Sequence, residues 1–314
     1  MNDYPQRFTV LVENYIALRR SLGYAFQKQA ATLGVLRQYV EGNNFAGPLT
    51  QEMALQFVLS TGADRTGNYR ACRYAVVRRF AEYLAVHDPQ TEVLDPRVFP
   101  RSRAIPPPRI LNNQEMQSLI AAARKISPCR PQRGHTLASL VGLLASTGLR
   151  SGEALRLDRG DVDLTEGVLQ VRKTKFRKDR LVPVHVTTLN ELRTYAQARD
   201  SAFPKPLSQA FFVSLRGSRL SKAALYTSFH EACVLASIGE NPCVLRPHDL
   251  RHRFAVTRLA EWRRQNVDVQ ALLPVLATYL GHARYSDTAY YITGTAELLG
   301  LAAQHAFGVE GGQS

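Results

Sequence analysis

The stretch RPHDLRHRF runs from Arg246 to Phe254 and gathers three arginines and two histidines into nine residues. Leu250 and Phe254 are four apart, so they share one helical face and predict a helix that buries that side. Pro247 suits the first position of such a helix. His248 and Arg251 are three apart and share a different face. One side of the segment therefore holds a core while the other presents an imidazole and a guanidinium. His252 and Arg253 point elsewhere and read as structural or solvent-facing. Arg246 stands where a Ser or Thr cap is expected. A metal site, a nucleic-acid grip and a phosphoryl-transfer site all use such a face.

The metal reading is the weakest of the three. Cys233, Cys243, His248 and His252 are spaced C-x9-C-x4-H-x3-H, whereas structural zinc sites open with a close cysteine pair. No metal and no cofactor are expected. The anion readings gain from the charge: 40 Lys and Arg against 26 Asp and Glu give +14 over 314 residues. A surplus of that size favours a polyanion, most often nucleic acid. Both halves are basic, so both are suited to one anionic partner. No apolar run is long enough to span a bilayer, and the first residues do not read as a signal peptide. Four scattered cysteines without a CxxC pair fit a reduced compartment. The expectation is a cytoplasmic protein with no membrane partner.

Upstream, LDPRVFPRSRAIPPPRIL (94–111) holds five prolines and four arginines. Proline removes amide donors and fixes φ, so this reads as an extended basic linker at 96–108. Its Arg101 and Arg103 face either a phosphate backbone or water. Residues 1–95 show helical spacing throughout: Phe8, Leu11, Val12 and Tyr15 up to Gly23; Ala30–Val40; Met53–Leu59 behind a Thr50 cap; and a long helix from about Asp64 to Val86. The last carries Arg65, Arg70, Arg73, Arg78 and Arg79 around a stripe of Tyr69, Val76, Phe80 and Tyr83. A small helical bundle with a DNA-facing basic helix is expected.

Downstream, NNQEMQSLIAAARK and TLASLVGLLAST read as helices, the second buried. In STGLRSGEALRL, a helix ends at Gly148 and another starts near Ser151, with Glu153 in its first turn and Arg150 on the junction. A guanidinium fixed at such a bend suits phosphate oxygens. GVLQVRKTKFRKDRLVPV (167–184) switches to an alternating period and reads as a β-hairpin. Its turn, RKTKFRKDR, holds six basic residues and one acid. A lysine there, its pKa lowered by neighbouring cations, is able to protonate a departing oxygen; spacing alone does not choose among Lys173, Lys175 and Lys178. In YLGHARYSDTAYYITG, Gly281 ends a helix, His282 follows, and a tyrosine pair stands at 290 and 291. The fold expected is mainly α with a small β-sheet.

In this order the pieces resemble the tyrosine recombinases, also called the phage integrase family: Arg in TGLRSGE, Lys in a hairpin before RLVPV, then HDLRH, LGH, and Tyr nine residues after that histidine. The resemblance covers the C-terminal half well and the N-terminal half in outline. The wording VDVQALLPVLATYLGH with YYITGTAELL after it is most similar to the branch carried by transposons and other mobile elements. It implies an N-terminal helical core-binding (SAM-like) domain at 1–95 and an α+β catalytic domain at 109–314. It implies Arg150, Lys175, His248, Arg251, His282 and Tyr291 as the catalytic set, with Glu153 in support. Tyr291 rather than Tyr290 keeps the nine-residue spacing. Arg65, Arg70, Arg73, Arg78, Arg101, Arg103, Lys173, Arg177 and Lys178 are the expected DNA contacts.

The implied activity is site-specific DNA strand exchange through a 3′-phosphotyrosine and a Holliday junction, without metal or ATP. Double-stranded DNA with an inverted-repeat core site, a homotetramer on two duplexes, and co-encoded recombinases are the implied partners. TAELLGLAAQHAFG reads as an amphipathic helix that either docks on a neighbouring protomer or packs on its own. The chain opens almost directly on the helical bundle, so an additional arm-binding domain is not expected. A non-cutting DNA-binding protein of this fold and a type IB topoisomerase are the competing readings.

Overall fold

The structure, a computed structural model, describes residues 4–60, 62, 66–99, 108–172, 179–205, 207–238 and 245–282. The chain divides into two compact units, Met1–Ile105 and Pro106–Ser314. Among the described residues, no helix is long and apolar enough to cross a membrane.

The first unit is a bundle of α1 (Tyr4–Ser21), α2 (Gln27–Gly42), α3 (Gln51–Leu59) and α4 (Gly67–His87). Thr50 caps α3 by accepting from the Met53 amide at 3.2 Å, as its sequence predicts. Phe8, Leu33, Leu36, Phe57, Val77 and Phe80 fill the core, with Phe8 edge-on to Phe80 at 5.6 Å between ring centres. The chain does not leave this unit at residue 95: Leu94 is buried and Phe99 packs on Tyr74 at 5.2 Å.

Helix α4 departs from expectation in two ways. It starts at Gly67, because Thr66, itself extended, takes the Tyr69 amide on its hydroxyl and caps the first turn. Its buried stripe is Arg73, Tyr74, Val77, Phe80, Ala81 and Leu84, while Tyr69 is exposed. The face is rotated relative to the predicted one because Arg73 itself goes inward. Its guanidinium lies 3.9 Å from the centre of the Phe57 ring, so it belongs to the core and not to a DNA-facing surface.

The second unit contains α5 (Asn113–Lys125), α6 (Pro131–Thr147), α7 (Ser151–Arg156), β1 (Val162–Asp163), β2 (Val168–Val171), β3 (Arg180–Pro183), α8 (Val186–Ala202), α9 (Lys222–Leu235), α10 (Asp249–Arg264) and α11 (Val269–Leu280). The hairpin reading of 167–184 is borne out: β2 and β3 are antiparallel, pairing Leu169 with Val182 and Val171 with Arg180, and β1 adds to the outer edge of β2. Leu169, Val171 and Val182 point into the core, while Leu181 is exposed, as the period of two requires.

Helix α6 is the central element, with Leu140, Val141 and Leu144 fully buried and with α5, α8, α9 and α10 packed around it. Helix α10 starts at Asp249, two residues later than predicted. Pro247 precedes it and His248 is its N-cap. The cause is Asp249, buried at 2% exposure, whose carboxylate accepts from the Arg246 amide at 2.8 Å and its guanidinium at 3.0 Å. Arg246 thus stands in the usual place of a small capping residue because Asp249 does the capping from inside the helix.

Gly134 sets the approach of α6 to α5. A Cβ there would lie 2.2 Å from the Arg124 carbonyl oxygen, so the two backbones would have to separate. Gly134→Ala gains about 1 kcal/mol of helix propensity but overpacks a backbone crossing, which costs about 1–3 kcal/mol. The expected result is a lower urea midpoint for the second unit; a midpoint equal to or above that of the parent would show that the crossing relaxes freely.

Candidate functional site

Helix α6 ends where Gly148 turns into the left-handed region at φ 63°. A Cβ there would meet Phe254 at 2.6 Å and Leu280 at 2.8 Å. Only glycine allows this turn to press against α10 and α11. Two residues on, Arg150 caps α7, and Glu153 in the first turn reaches back to it. Its Oε2 accepts from the Arg150 amide at 3.2 Å and its Oε1 from Arg150 Nη1 at 2.9 Å.

Glu153 is only 2% exposed, and a second arginine meets it there. Arg180, the first residue of β3, donates from Nη2 to Glu153 Oε2 at 2.9 Å. Burial by itself would raise the Glu153 carboxyl. Hydrogen bonding and charge from Arg180, then the charge of Arg150, outweigh it and hold the group below the usual carboxylate range.

The same arginines also read the end of α11. Arg180 Nε donates to the Tyr279 carbonyl at 2.9 Å. Arg251 Nη2 donates to the Leu280 carbonyl at 2.9 Å, and its Nη1 to the Gly148 carbonyl at 2.8 Å. Arg150 donates from Nη1 and Nη2 to the Gly281 carbonyl, both at 3.2 Å. Three guanidinium groups thus meet three successive carbonyls where a helix leaves acceptors unpaired and its dipole is negative. Gly281 makes this possible: at φ 67° it ends α11, and a Cβ on it would lie 2.7 Å from Arg180 Nη1.

His282 follows directly, its amide donating back to the Ala277 carbonyl at 2.9 Å. Burial, then the charges of Arg251 and Arg150, lower its imidazole to about 3. His248 is lowered to about 4 by the packing around it, then by His252 and Arg251. Its side chain still opens to solvent, so it stands at the rim of the cluster. Its ring meets that of His252 edge-on at 4.9 Å. Arg253 lies outside the cluster and donates to the Leu111 carbonyl at 2.9 Å.

Of the expected catalytic set, Arg150, His248, Arg251 and His282 come from three separate chain segments, the α6–α7 junction, the start of α10 and the end of α11, and Glu153 is bonded to Arg150. Arg180 joins them although the sequence reading left it among the charges of a turn. Its signal was the alternation of β3: Arg180 is two residues from Val182 and shares its inward face. Lys175 and Tyr291 lie outside the described residues, as do Lys173, Arg177, Lys178, Arg65, Arg101, Arg103, Cys243 and the segment TAELLGLAAQHAFG. Of the remaining α4 arginines, Arg70 donates to the Gly62 carbonyl at 3.2 Å, and Arg78 pairs with Glu82. Cys233 is buried in α9, and burial pushes its thiol up to about 11.

An arginine-lined, carboxylate-poor cluster with two neutral histidines is suited to an anionic phosphate and to proton movement beside it. Comparison with known proteins agrees with that chemistry. The profile of the phage integrase family matches residues 109–297. A Sinorhizobium fredii protein named as an integrase/recombinase, y4rE, is 62% identical over 96% of both chains. Tyrosine recombinase XerA of Thermococcus kodakarensis is 30% identical over 86% of both. Among solved structures, the Tn1549 transposon integrase in complex with transposon right end DNA superposes with a TM-score of 0.63 at 15% identity, covering 95% of this chain and 99% of that one. The cluster's residues and these matches together make the chain a member of the phage integrase family, the tyrosine recombinases.

Proposed function

We propose that this chain cuts and rejoins double-stranded DNA at a specific site, through a covalent 3′-phosphotyrosine, in the movement of a mobile element. The observation that carries the reading is the arrangement of Arg150, Arg180 and Arg251 around one carboxylate and three carbonyls, with His248 and His282 beside them. The names of y4rE and of the DNA-bound Tn1549 integrase support the substrate class.

In this reading the Tyr291 oxygen attacks the scissile phosphorus. The bond to the 5′ oxygen breaks and the phosphotyrosine bond forms. The phenol proton passes toward His248, and Lys175 gives a proton to the departing 5′ oxygen. Arg150 and Arg251 stabilise the charge that gathers on the non-bridging oxygens, and His282 hydrogen-bonds one of them. The free 5′-hydroxyl of a second strand then reverses the step. The phosphodiester energy is kept in the covalent bond, so the residues named are sufficient without metal or ATP. Pairwise exchange in a tetramer on two duplexes, with inverted repeats placing the protomers, completes the reaction through a Holliday junction. The domain assignment, with the first helical unit gripping the core site and 109–314 catalytic, and a cytoplasmic location on the nucleoid, belong to the same proposal. So do DNA-backbone contacts by Arg65, Arg70 and Arg78, by linker residues Arg101 and Arg103, and by hairpin residues Lys173, Arg177 and Lys178.

The first test is covalent trapping with nicked duplexes made from DNA flanking the gene. The parent is expected to give a band shifted on a denaturing gel, whereas Tyr291→Phe binds DNA equally and gives none; attachment of the mutant would transfer the role to another residue such as Tyr290. Lys175→Ala is expected to slow single-turnover cleavage by about 10²–10⁴-fold with binding nearly unchanged, and equal loss of both would remove it as the acid.

The histidines supply a third test. Their pKa values are lowered on folding, so each favours the folded state fully above its unfolded value of about 6.5, and this contribution falls as pH drops toward about 4 for His248 and about 3 for His282. In NMR titration both imidazoles are expected to stay neutral at pH 6, with midpoints below 5. Midpoints near 6.5 would mean that neither burial nor the neighbouring arginines act on them.

A further inference from the structure

Arg180 is the one guanidinium of the cluster that the expected catalytic set does not use. It is 11% exposed at its side chain; Glu153, its carboxylate partner, is 2% exposed, and Tyr279, whose carbonyl it meets, is half-buried. Nη2 meets Glu153 Oε2 at 2.9 Å, Nη1 meets Oε1 at 3.4 Å, and Nε meets the Tyr279 carbonyl at 2.9 Å. Its planar fork thereby ties β3 to α7 and to the end of α11. A second bond joins the same elements: the Tyr279 hydroxyl donates to the Pro183 carbonyl at 3.2 Å.

The carboxylate of Glu153 is shared. Arg150 Nη1 holds Oε1 at 2.9 Å while Arg180 occupies Oε2. With Arg180 gone, a buried carboxylate would keep a single counter-ion. It would turn both oxygens onto Arg150, since paired parallel bonds to a guanidinium are the strongest arrangement open to it. Arg150 would then be drawn inward from the place where a phosphate is received. The Tyr279 carbonyl would lose its donor in the same step, loosening the turn that bears Gly281 and His282.

We propose that Arg180 is a positioning residue for DNA cleavage: by occupying one oxygen of Glu153 and the Tyr279 carbonyl, it holds Arg150 outward for the scissile phosphate. The inference rests on the reading that Arg150 neutralises a non-bridging phosphate oxygen. It assigns Arg180 no contact with DNA and no proton transfer.

The test compares phosphate with methylphosphonate at the scissile position. Replacing one non-bridging oxygen by methyl removes the charge that an arginine there would neutralise, and the two isomers remove different oxygens. Strand cleavage is timed in single turnover for the parent, Arg150→Ala and Arg180→Met, on nicked duplexes carrying the site found by trapping. DNA affinity and thermal midpoint are followed alongside. On phosphate, Arg180→Met is expected to bind normally and cleave about 100-fold more slowly, the cost of about 1 Å of misplacement. On the isomer that restores Arg150→Ala, it is expected to return to near the parental rate on that same substrate. Equal loss on phosphate and on both isomers overturns the proposal, because a general weakening of the fold would act on all three alike. Undiminished cleavage of phosphate overturns it as well. Should the methionine variant fail to fold, Arg180→Lys carries the same comparison, since an ammonium cannot span both Glu153 and the Tyr279 carbonyl. Full-speed cleavage of phosphate by Arg150→Ala, or no cleavage by the parent, removes the proposed function itself and this inference with it.

Discussion

One buried carboxylate organises the second unit. Glu153 is cut off from water in a chain with a surplus of positive charge, and a lone charge in that position would be costly. Arg150 and Arg180 make its burial possible, one from the junction between α6 and α7 and the other from the start of β3. These two arginines then have donors left for the end of α11. The result is that three parts of the chain distant in sequence, the α6–α7 junction, the start of β3 and the end of α11, are brought to one point by a single anion and its two cations. The positions of Gly148 and Gly281 follow from the same convergence. Each lets a helix end in left-handed geometry with another side chain pressed against the place where a Cβ would stand.

The cluster also divides charge from proton transfer. Arginine remains charged at any working pH, so the three guanidinium groups are fixed positive points. Histidine is the group that such a field can alter. Burial first, and then the neighbouring charges, keep His248 and His282 neutral well below their usual titration range. A neutral imidazole carries both a donor and an acceptor nitrogen, which suits it to hydrogen-bond a phenol hydroxyl or a phosphate oxygen. The arginines therefore condition the histidines as well as the phosphate.

Much of this was legible in the sequence, because most of the signals are local. Gly148 and Gly281 marked helix ends, Thr50 capped a helix, and the change of period at 167–184 marked the hairpin. What was misread depended on contacts across the fold. Arg73 looked like a surface cation, yet the ring of Phe57 takes it into the core. Pro247 looked like the first residue of a helix, yet Asp249 caps from within and moves the start beyond His248. Helix α8 was passed over although Leu189, Leu192, Tyr195 and Ala196 carry its buried face. Arg180 was hidden by its surroundings: five other cations in nine residues drew attention to charge, while the alternation that turned it inward was carried by the apolar residues after it.

The partners chosen for the arginines bear on what the site is able to bind. Orienting three guanidinium groups with three carboxylates would leave no charge for a phosphate. Here a single carboxylate is used, and backbone carbonyls do the remaining work. A carbonyl at a helix end carries a partial negative charge, enough to orient a donor but not to neutralise it. Three positive charges against one negative leave a surplus of two among these four side chains, fixed in direction before any ligand arrives. That is the requirement for stabilising a phosphoryl transition state with little reorganisation. It also fits the placing of the cluster at the end of a helix, where the last carbonyls stand together without intrahelical partners.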